Sequence, residues 1–501
     1  MRLGDLLATL PAADVQGPID REVVSIQTDS RRVGPCDIFV AYQGVSLDLH
    51  RFVPQAVRAG AVAVVAERPV RLPRGLTRVV VPSGRAAWAL LSAAWHGFPS
   101  RRLTVVGVTG TDGKTTTSSL IGAILEAAGR RVGLITTVAA RIGGRAVETG
   151  LHTTTPEPPE IQKILSQMVE DGTEVAVLET TSHALALDKV LGVDYDVAVV
   201  TNVTPEHLDF HGSFEAYLEA KAKLFDGLAS SYRKPGVPKA AVLNRDDPSC
   251  ERLSAGAVDR RLDYGLARPA RIRARELRLD GRGTRFVAVT PVGEVEVESR
   301  LLGRFNVSNA LAAIGAGLAL GVPLEAAARG LRAFHGVPGR LEPIDVGQPF
   351  GVVIDFAHTP NSLRRLLELG RSLTQNGLSI VFGCAGERDA TKRPLMGRIA
   401  AELADRVYLT AEDPRGESLE AILAEVAAGA RAAGREPTTV PDRAEAIARA
   451  IAEARPGDLV LLTGKGHERS MCFGDEERPW DERAAAIEGL ARRGFGQPAA
   501  R

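Results

Sequence analysis

The chain has 501 residues, which at roughly 100–200 residues per domain predicts three or four domains. Its formal net charge of +1 argues against a nucleic-acid-binding surface. The four cysteines are scattered without a CxxC pair, which indicates neither a zinc site nor a disulfide framework. No apolar signal segment opens the sequence and no run of about 18 apolar residues occurs in it. We therefore expect a cytoplasmic protein without stable membrane insertion and without a nucleic-acid partner.

The first block of the sequence, 1–99, carries short apolar runs separated by Gly, Pro and charged residues. Two of these runs, Gly60–Ala66 and Thr77–Val81, are typical of buried strands. This alternation predicts a small α/β domain.

The second block, 100–337, opens with a buried-strand pattern from Leu103, followed by a Gly-rich turn and a helical stretch over Thr115–Gly129. Further apolar runs at Val175–Leu178 and Val197–Val200 also predict buried strands. Strands that alternate with helices favour a mainly parallel, doubly wound sheet. Alternating Ile, Leu and Val from Arg271 to Glu298, with a turn at Asp280 and Gly281, predict a β-meander added to that sheet.

The third block, 338–501, repeats the strand–helix rhythm and predicts a Rossmann-like α/β domain. Each predicted strand ends in a polar loop, and ligands of parallel sheets bind at the carboxyl ends of the strands. The predicted strands are Val352–Asp355, Ser379–Gly383, Arg406–Thr410 and Leu459–Thr463.

The most informative motif runs from Gly107 to Thr116 and reads GVTGTDGKTT. Backbone N–H groups of a Gly-rich turn at a helix N-terminus bind phosphates, a Lys supplies charge to the β and γ phosphates, and the following hydroxyl reaches Mg²⁺. The common spacing would require Gly where Val108 stands. A plain glycine turn is the alternative, but the order strand, turn, Lys, Thr and helix favours an ATP-binding loop. Its candidate residues are Gly110, Thr111, Asp112, Gly113, Lys114, Thr115 and Thr116.

Two further polar segments follow predicted strands. Glu179 ends the first strand, and a carboxylate near a phosphate loop is a natural Mg²⁺ ligand, although this segment could equally begin a capped helix. In the second segment His207, Asp209 and His211 lie within five residues. Three side chains able to bind a metal are an improbable way to fill a core, so we interpret this segment as functional.

The spacing GxxGxxGKT resembles that of the Mur ligase and folylpolyglutamate synthase superfamily. Within that resemblance, EAYLEAKAKLF over 215–225 is similar to the Mur ligase segment whose lysine is carbamylated to N6-carboxylysine. The spacing to His207 favours Lys221 over Lys223 for this modification, whereas an exposed lysine on an amphipathic helix is the simpler interpretation. A carbamate would convert a cation into an anionic oxygen ligand for a second Mg²⁺.

The N-terminal block makes the resemblance more specific. Asp29-Ser30-Arg31, followed by DIFVA from Asp37, resembles the uridine-nucleotide-binding domain of Mur ligases, which folylpolyglutamate synthases lack. Members usually show Asp-Gly-His where this chain has Asp48-Leu49-His50, so we expect this loop to differ.

Further motifs continue the resemblance in order along the chain. TTTPE from Thr153 is similar to the loop that contacts the muramoyl-dipeptide, and GRFNVSN from Gly303 to the adenine-side and interdomain segment. In the third block the matching segments are DFAHTP from Asp355, FGCAGERD from Phe382, KRP from Lys392, EDPR from Glu412 and GKGHE from Gly464.

This resemblance implies a three-domain ligase of peptidoglycan synthesis that uses ATP and two Mg²⁺ ions. The implied substrates are UDP-N-acetylmuramoyl-L-alanyl-D-glutamate and a diamino acid, joined through an acyl phosphate. The implied catalytic residues are Lys114, Glu179, His207 and Lys221, with Thr115, Glu179, His207 and Lys221 as metal ligands. Further implied nucleotide-binding residues are Asn306, Asn309, Arg340, Asp355 and His358. The UDP-sugar-peptide residues are Ser30, Thr153, Thr154, Thr155, Ser182 and Lys189, and the amino-acid residues are Arg388, Glu412, Asp413, Arg415, Gly464 and Glu468.

Several alternatives remain open at this point. A folylpolyglutamate synthase-like ligase is disfavoured by the N-terminal motif, and a ligase that adds D-Ala-D-Ala is disfavoured by the EDPR and GKGHE segments. A nucleotide-binding homologue without activity is disfavoured by the intact Lys114 and Glu179. The Arg415 guanidinium favours meso-diaminopimelate, whose second carboxylate it can bind. Family members that use meso-diaminopimelate resemble one another in an Asp-Asn-Pro-Arg motif here, and the departure from it at Glu412 and Asp413 keeps L-lysine and L-ornithine as alternatives.

Overall fold

The computed structural model describes residues 1–45, 47–147, 154–266, 269–280 and 283–496. The chain divides into two compact units. The first comprises Met1–Arg273, Val289–Glu294 and Ser308–Gly330, and the second comprises Ala274–Ala288, Val295–Val307 and Leu331–Arg501. Within the described residues, no helix is both long and apolar enough to cross a membrane.

The N-terminal part of the first unit is a small α/β fold, as the apolar runs predict. Its elements are α1 (Leu3–Leu7), β1 (Asp14–Gln16), β2 (Ile26–Gln27), β3 (Ile38–Ala41), a 3₁₀ turn (Leu49–Phe52), α2 (Val53–Arg58), β4 (Ala63–Ala66), β5 (Thr77–Val80) and α3 (Gly84–Trp95). The strands pair in the order β1-β5-β4-β3-β2, with only the β1–β5 pair antiparallel. All residues of β3 and β4 are buried, which explains their uninterrupted apolar sequences.

The central part of the first unit is built around a large sheet. Its elements are a 3₁₀ turn (Pro99–Arg102), β6 (Thr104–Thr109), α4 (Lys114–Ala127), β7 (Val132–Ile135), β8 (Ala140–Ile142), β9 (Arg145–Val147), α5 (Pro158–Glu170), β10 (Val175–Glu179), α6 (Ser182–Ala186), β11 (Val197–Val200), α7 (Leu208–His211), α8 (Phe214–Ser230), β12 (Ala240–Asn244), α9 (Cys250–Leu253) and β13 (Arg260–Gly265). The order is β13-β12-β11-β6-β10-β7-β8-β9, and the strands from β13 to β7 are parallel. The carboxyl ends of β6, β10 and β11 therefore lie together, and each is followed by one of the predicted motifs.

The predicted β-meander is confirmed as an extension of this sheet. Its strands are β14 (Ile272–Asp280), β15 (Gly283–Thr290) and β16 (Gly293–Ser299), and the sheet order continues from β13 through β14 and β15 to β16. The predicted turn residue Gly281 lies outside the described residues. Two helices follow, α10 (Arg304–Ala319) and α11 (Leu324–Ala333).

The C-terminal fold is a second, mostly parallel sheet with helices. Its elements are β17 (Glu342–Pro343), β18 (Gly351–Asp355), α12 (Pro360–Leu373), β19 (Leu378–Phe382), α13 (Lys392–Leu403), β20 (Arg406–Leu409), α14 (Leu419–Ala432), β21 (Thr438–Thr439), α15 (Arg443–Ala452), β22 (Leu459–Thr463), β23 (Ser470–Phe473), β24 (Glu476–Pro479) and α16 (Glu482–Arg492). The sheet order is β17-β18-β22-β19-β20-β21, and β23 and β24 form a separate hairpin. The strands β18, β19, β20 and β22 confirm the four predicted from the sequence, with ends that differ by at most one residue.

Candidate active site

The loop between β6 and α4 is shaped by two glycines with positive φ. Gly110 has φ +146°, and a Cβ at this position would lie 1.9 Å from the hydroxyl oxygen of Thr201. Gly113 has φ +83°, and its Cβ would lie 2.5 Å from Oδ1 of Asn309. Because neither position has room for a side chain, only glycine allows the loop to turn directly into α4. The loop thus precedes the N-terminus of a 14-residue helix, the usual geometry for binding phosphates.

A neighbouring asparagine that the sequence motifs do not predict, Asn202, holds this loop in place. The carbonyl of Asn202 accepts the Thr111 N–H at 2.7 Å, and its side-chain Oδ1 accepts the Asp112 N–H at 3.1 Å. Its Nδ2 donates to the Asp112 carbonyl at 3.0 Å. The hydroxyls of Thr111 and Tyr217 are 2.9 Å apart. Asn202 lies just beyond the end of β11, at the same sheet edge as the other motifs. This position after a predicted buried strand is the feature of the sequence that could have identified it.

The Lys114 ammonium folds back over the same loop. Its Nζ donates to the carbonyls of Thr111 at 2.8 Å and Gly110 at 3.2 Å. The positive charge is therefore held where the loop would meet a bound phosphate group.

Glu179, at the end of β10, connects directly to the start of α4. Its Oε2 accepts the Thr115 hydroxyl at 2.9 Å and the Thr137 N–H at 3.0 Å, and the residue is buried. A carboxylate and a hydroxyl that share one site are hard oxygen donors of the kind Mg²⁺ prefers.

The predicted metal ligands include groups other than the side chains of His, Cys, Asp and Glu. In the part of the chain that the structure describes, no group of three or more such side chains could by itself hold a metal ion. The Thr115 hydroxyl is an oxygen donor outside that class, and the predicted carbamate on Lys221 and the phosphates of a nucleotide would be others. On this chemistry, the residues present fit Mg²⁺ shared with a nucleotide better than a metal bound by the protein alone.

Lys221 is almost fully buried, not an exposed helix-surface lysine. Its side chain is 1% exposed, its Nζ donates to the Gly110 carbonyl at 2.7 Å, and the amine lies 4.3 Å from the Tyr217 ring centroid. Burial, and then the nearby Lys114 charge, lower the pKa of Lys221 well below its ordinary value. Lys223, by contrast, is exposed and bonds to Asp188. A neutral buried amine is the form that can react with CO₂.

Three histidines surround this region. The ring of His183 lies 4.6 Å from that of His207 and 5.4 Å from that of His211. Burial, followed by the proximity of His183 and Lys114, lowers the pKa of His207 to about 3. Burial and His211 lower the pKa of His183 to about 4. Both imidazoles are therefore neutral at physiological pH, as a metal-binding imidazole must be.

The predicted UDP-sugar-peptide residues fall in two regions. Ser30 is buried in the N-terminal fold and donates to Gln55 at 3.1 Å. Near Glu179, the Thr155 hydroxyl donates to the Glu179 carbonyl at 3.0 Å, and Ser182 lies 3.1 Å from Nε2 of His211. Thr154 is half-buried next to Thr155, and Lys189 pairs with Glu157. Thr153 lies outside the described residues.

In the C-terminal fold, one group of predicted nucleotide-binding residues gathers at the end of β18. Asp355 accepts the backbone N–H groups of Leu341 at 2.9 Å and Ala357 at 2.8 Å. The Arg340 guanidinium lies 4.5 Å from the Phe356 ring centroid, and the Phe356 and His358 rings are 4.7 Å apart. Nδ1 of His358 lies 2.9 Å from the Phe356 carbonyl. Asn306 donates to the Leu302 carbonyl at 2.9 Å, at the start of α10.

The predicted amino-acid residues follow β20 and β22 in the same fold. Lys465 is buried and its Nζ contacts Asp413 at 2.9 Å and Glu468 at 2.5 Å. Burial by itself lowers the pKa of Lys465, but the negative charges of Glu468 and Asp413 have the larger combined effect and raise that pKa above its ordinary value. Arg388, in the loop after β19, is exposed. The structure thus brings the EDPR and GKGHE segments together through a charged network.

Arg415 has a strained backbone held by the β23–β24 hairpin. Its φ is +52°, which is uncommon for a residue other than glycine. Its N–H donates to the Cys472 carbonyl at 3.1 Å, and its carbonyl accepts the Gly474 N–H at 2.7 Å. The buried Nε of Arg415 has no hydrogen-bond partner among the described residues. A guanidinium fixed in this way can bind a ligand carboxylate.

Glu412 is a buried carboxyl group beside this network. A Cβ at Gly464 would lie 2.6 Å from its Oε2, an oxygen that finds no hydrogen-bond partner within the described ranges. Burial raises the pKa of Glu412 to about 7, opposed by the charges of Lys392, Arg443 and Lys465.

The raised pKa of Glu412 predicts a pH dependence of stability. A carboxyl group whose pKa rises from 4.5 to about 7 on folding stabilises the folded state below pH 4.5, and this contribution is lost as the pH rises through 7. We expect the free energy of unfolding of wild type, relative to Glu412→Gln, to fall by at most about 3 kcal/mol as the pH rises from 5 to 7.5. The melting temperature of wild type should fall relative to that of the variant over the same range. Thermal melts of both proteins at matched ionic strength measure this. A constant difference in melting temperature between the two proteins over that pH range would contradict the raised pKa of Glu412.

Comparisons with known proteins show the family of this chain. The model described as "Mur ligase middle domain" matches residues 108–317, "Mur ligase, glutamate ligase domain" matches 339–466, and "Mur ligase family, catalytic domain" matches 22–94. A relative from Roseiflexus sp. (strain RS-1), named UDP-N-acetylmuramyl-tripeptide synthetase, is 46% identical over 99% of this chain and 100% of its own. The chain belongs to the Mur ligase family.

Other relatives and solved structures extend this finding. A UDP-N-acetylmuramoyl-L-alanyl-D-glutamate--2,6-diaminopimelate ligase from Geobacillus thermodenitrificans (strain NG80-2) is 42% identical over 97% of this Mur ligase and 98% of its own chain. A solved structure of a ligase with that name superposes with a TM-score of 0.68 at 29% identity, covering 99% of both chains. An E. coli FolC structure with DHPP and ADP has a TM-score of 0.62 at 22% identity over 82% of this chain and 93% of its own, and shares the fold alone.

The family and the enzyme class predicted from the sequence are thereby confirmed. The three-part α/β fold is confirmed as well, because the three family models match three consecutive ranges. The boundaries 1–99, 100–337 and 338–501, the roles of the individual site residues and the two Mg²⁺ ions stay predictions.

Proposed function

We propose that this Mur ligase joins a diamino acid to the D-glutamate of UDP-N-acetylmuramoyl-L-alanyl-D-glutamate in the cytoplasm, with ATP as the energy source. The proposal rests on two relatives that match nearly the whole chain, a UDP-N-acetylmuramyl-tripeptide synthetase at 46% identity and a 2,6-diaminopimelate-adding ligase at 42%. The phosphate loop geometry supports the nucleotide part of it. The EDPR and GKGHE network supports the amino-acid part.

The proposed reaction has two steps. An oxygen of the D-glutamate side-chain carboxylate attacks the γ-phosphorus of ATP, so that ADP leaves and an acyl phosphate forms. The amine of the diamino acid then attacks the carbonyl carbon, and inorganic phosphate leaves with that carboxylate oxygen. Domain closure that excludes water would protect the acyl phosphate from hydrolysis.

In the first step this chain's own groups bind and neutralise the phosphates. The backbone N–H groups of Gly113 and Lys114 at the start of α4 would bind the β and γ phosphates, since those of Thr111 and Asp112 donate to Asn202. The Lys114 ammonium would stabilise the charge that develops on the transferred group. Thr115, Glu179, His207 and the carbamate of Lys221 would hold Mg²⁺, which supplies charge neutralisation when bound.

Phosphate release tests this proposal. We expect ATP-dependent release of phosphate only when the UDP-sugar dipeptide and a diamino acid are both present, and a product whose mass equals the sum of the two minus water. Activity with a folate and glutamate instead would support the folylpolyglutamate synthase alternative. Activity with the UDP-sugar tripeptide and D-Ala-D-Ala would support the other Mur ligase alternative.

For the amino acid, we propose meso-diaminopimelate, with L-lysine and L-ornithine as alternatives. The buried Nε of Arg415, which bonds to none of the described residues, supports binding of the second carboxylate of meso-diaminopimelate. Lysine and ornithine lack that carboxylate. Glu412 could instead pair with their terminal ammonium group.

Substitution of Arg415 separates these substrates. Arg415→Ala should lower kcat/KM for meso-diaminopimelate roughly 30- to 100-fold, since a charge-assisted hydrogen bond is lost, and should change the value for lysine little. Arg478→Ala, which removes an exposed arginine of the same hairpin, is the control and should affect neither. A wild type that prefers lysine or ornithine, with Arg415→Ala indifferent, would overturn the choice of substrate.

A further inference from the structure

A fully buried ion pair lies behind the loops that carry the proposed amino-acid residues. Arg443, the first residue of α15, and Glu482, the first residue of α16, both have side chains that are 0% exposed. Two hydrogen bonds join them, from Nε to Oε2 at 2.8 Å and from Nη2 to Oε1 at 2.5 Å. A buried pair of this kind adds little net stability compared with apolar side chains, so stability alone does not explain its contacts.

The Arg443 guanidinium joins the ends of two strands that are not neighbours in the sheet. It donates to the Ala411 carbonyl at 3.1 Å, just before the EDPR segment, and to the Thr463 carbonyl at 2.7 Å, just before GKGHE. The strands concerned, β20 and β22, are separated by β19. One side chain therefore bonds to the start of both loops, which also meet through Lys465 and Asp413.

Glu482 extends this connection to the hairpin. Its Oε2 also accepts the indole N–H of Trp480 at 2.7 Å, and the Trp480 backbone N–H donates to the Arg469 carbonyl at 2.8 Å. Strand β23 begins directly after Arg469. Its Cys472 N–H donates to the Asp413 carboxylate, and its Cys472 carbonyl accepts the Arg415 N–H. The three segments around the proposed amino-acid site are thus linked through one buried pair.

We infer that Arg443 and Glu482 are positioning residues that set the geometry of the diamino-acid site from beneath it, without touching the substrate. The inference rests on the proposed function. The pair should affect amino-acid binding and not nucleotide binding. Among the described residues, its side-chain hydrogen bonds to other segments reach Ala411 after β20, Thr463 at the end of β22, and Trp480 after the hairpin.

The opposite end of the same strands supplies a matched control. Arg406, the first residue of β20, bonds to Ser379 on β19 at 2.9 Å and pairs with Asp458, which precedes β22. This pair joins the amino ends of β20 and β22 as Arg443 joins their carboxyl ends. A loss of general stability should therefore follow from either substitution, whereas a loss of amino-acid binding should follow only from substitution of Arg443.

The test compares KM values for the full-length variants Arg443→Lys and Arg406→Lys with wild type. For Arg443→Lys we expect the KM of the diamino acid to rise roughly tenfold or more, since at least one carbonyl contact is lost, and the KM of ATP to change less than twofold. Arg406→Lys should lower the melting temperature and leave both KM values unchanged. If Arg443→Lys does not fold, Glu482→Gln and Trp480→Phe take its place, and the KM of the diamino acid should again rise while the KM of ATP changes less than twofold.

The outcomes distinguish this inference from the proposed function. An active wild type with an unaltered amino-acid KM in the folded Arg443 or Glu482 variant would overturn the positioning role alone. An equal rise in the KM of ATP, or an equal rise of the amino-acid KM in Arg406→Lys, would also overturn it. A wild type that uses no diamino acid would overturn the proposed function and this inference together.

Discussion

Lys114→Ala should lower kcat roughly 10²- to 10³-fold while the protein stays folded, because it removes a preorganised charge aimed at the transferred phosphoryl group. Among the residues that the structure describes, the amine hydrogen-bonds only to carbonyls of its own loop, those of Gly110 and Thr111. Its loss should therefore cost little stability. Phosphate release and thermal melting of the variant measure the two effects.

Lys163→Ala is the matched control for this substitution. Lys163 is an exposed lysine of α5 in the same unit, and its removal should leave turnover unchanged. Near-normal turnover in a folded Lys114→Ala protein would exclude the proposed ATP site.

Lys221→Ala should be nearly inactive, and a short carboxylic acid such as acetate should restore part of the activity. Rescue is expected because a free carboxylate can replace the oxygens of the carbamate proposed on Lys221. Its almost complete burial and lowered pKa favour the neutral amine that carbamylation requires. Turnover of the variant with and without acetate measures this.

Lys223→Ala provides the comparison from the same helix. Its exposed ammonium pairs with Asp188, so removal should leave most activity, without any effect of acetate. Full activity in Lys221→Ala would show that the lysine only fills space. Loss of activity without rescue by any small carboxylate would argue for a structural role.

Much of the fold was predictable because its strands are buried on both faces. Strands such as β6, β10 and β22 are continuous apolar runs, and such runs indicate parallel strands between helices. The polar motifs directly after them then had to meet at one edge of each sheet. The strand pattern therefore places Lys114, Glu179 and His207 near one sheet edge, and the family resemblance predicts them as members of one site.

Other features could not be predicted because they depend on contacts between residues far apart in sequence. Arg443 and Glu482 are 39 residues apart, and each lies at the start of an ordinary amphipathic helix in the sequence. Asn202 holds the phosphate loop from 90 residues away. The positive φ of Arg415 comes from the hairpin bonded to it, and no local sequence pattern signals it.

The most direct test of the acyl phosphate reaction is oxygen transfer from substrate to phosphate. UDP-N-acetylmuramoyl-L-alanyl-D-glutamate labelled with ¹⁸O in the D-glutamate side-chain carboxylate is incubated with ATP, the diamino acid and the enzyme, and the released phosphate is analysed by mass. One ¹⁸O atom per phosphate is the predicted result, because the carboxylate oxygen that attacks ATP leaves with the phosphate. Phosphate without ¹⁸O, formed together with the peptide product, would contradict the account.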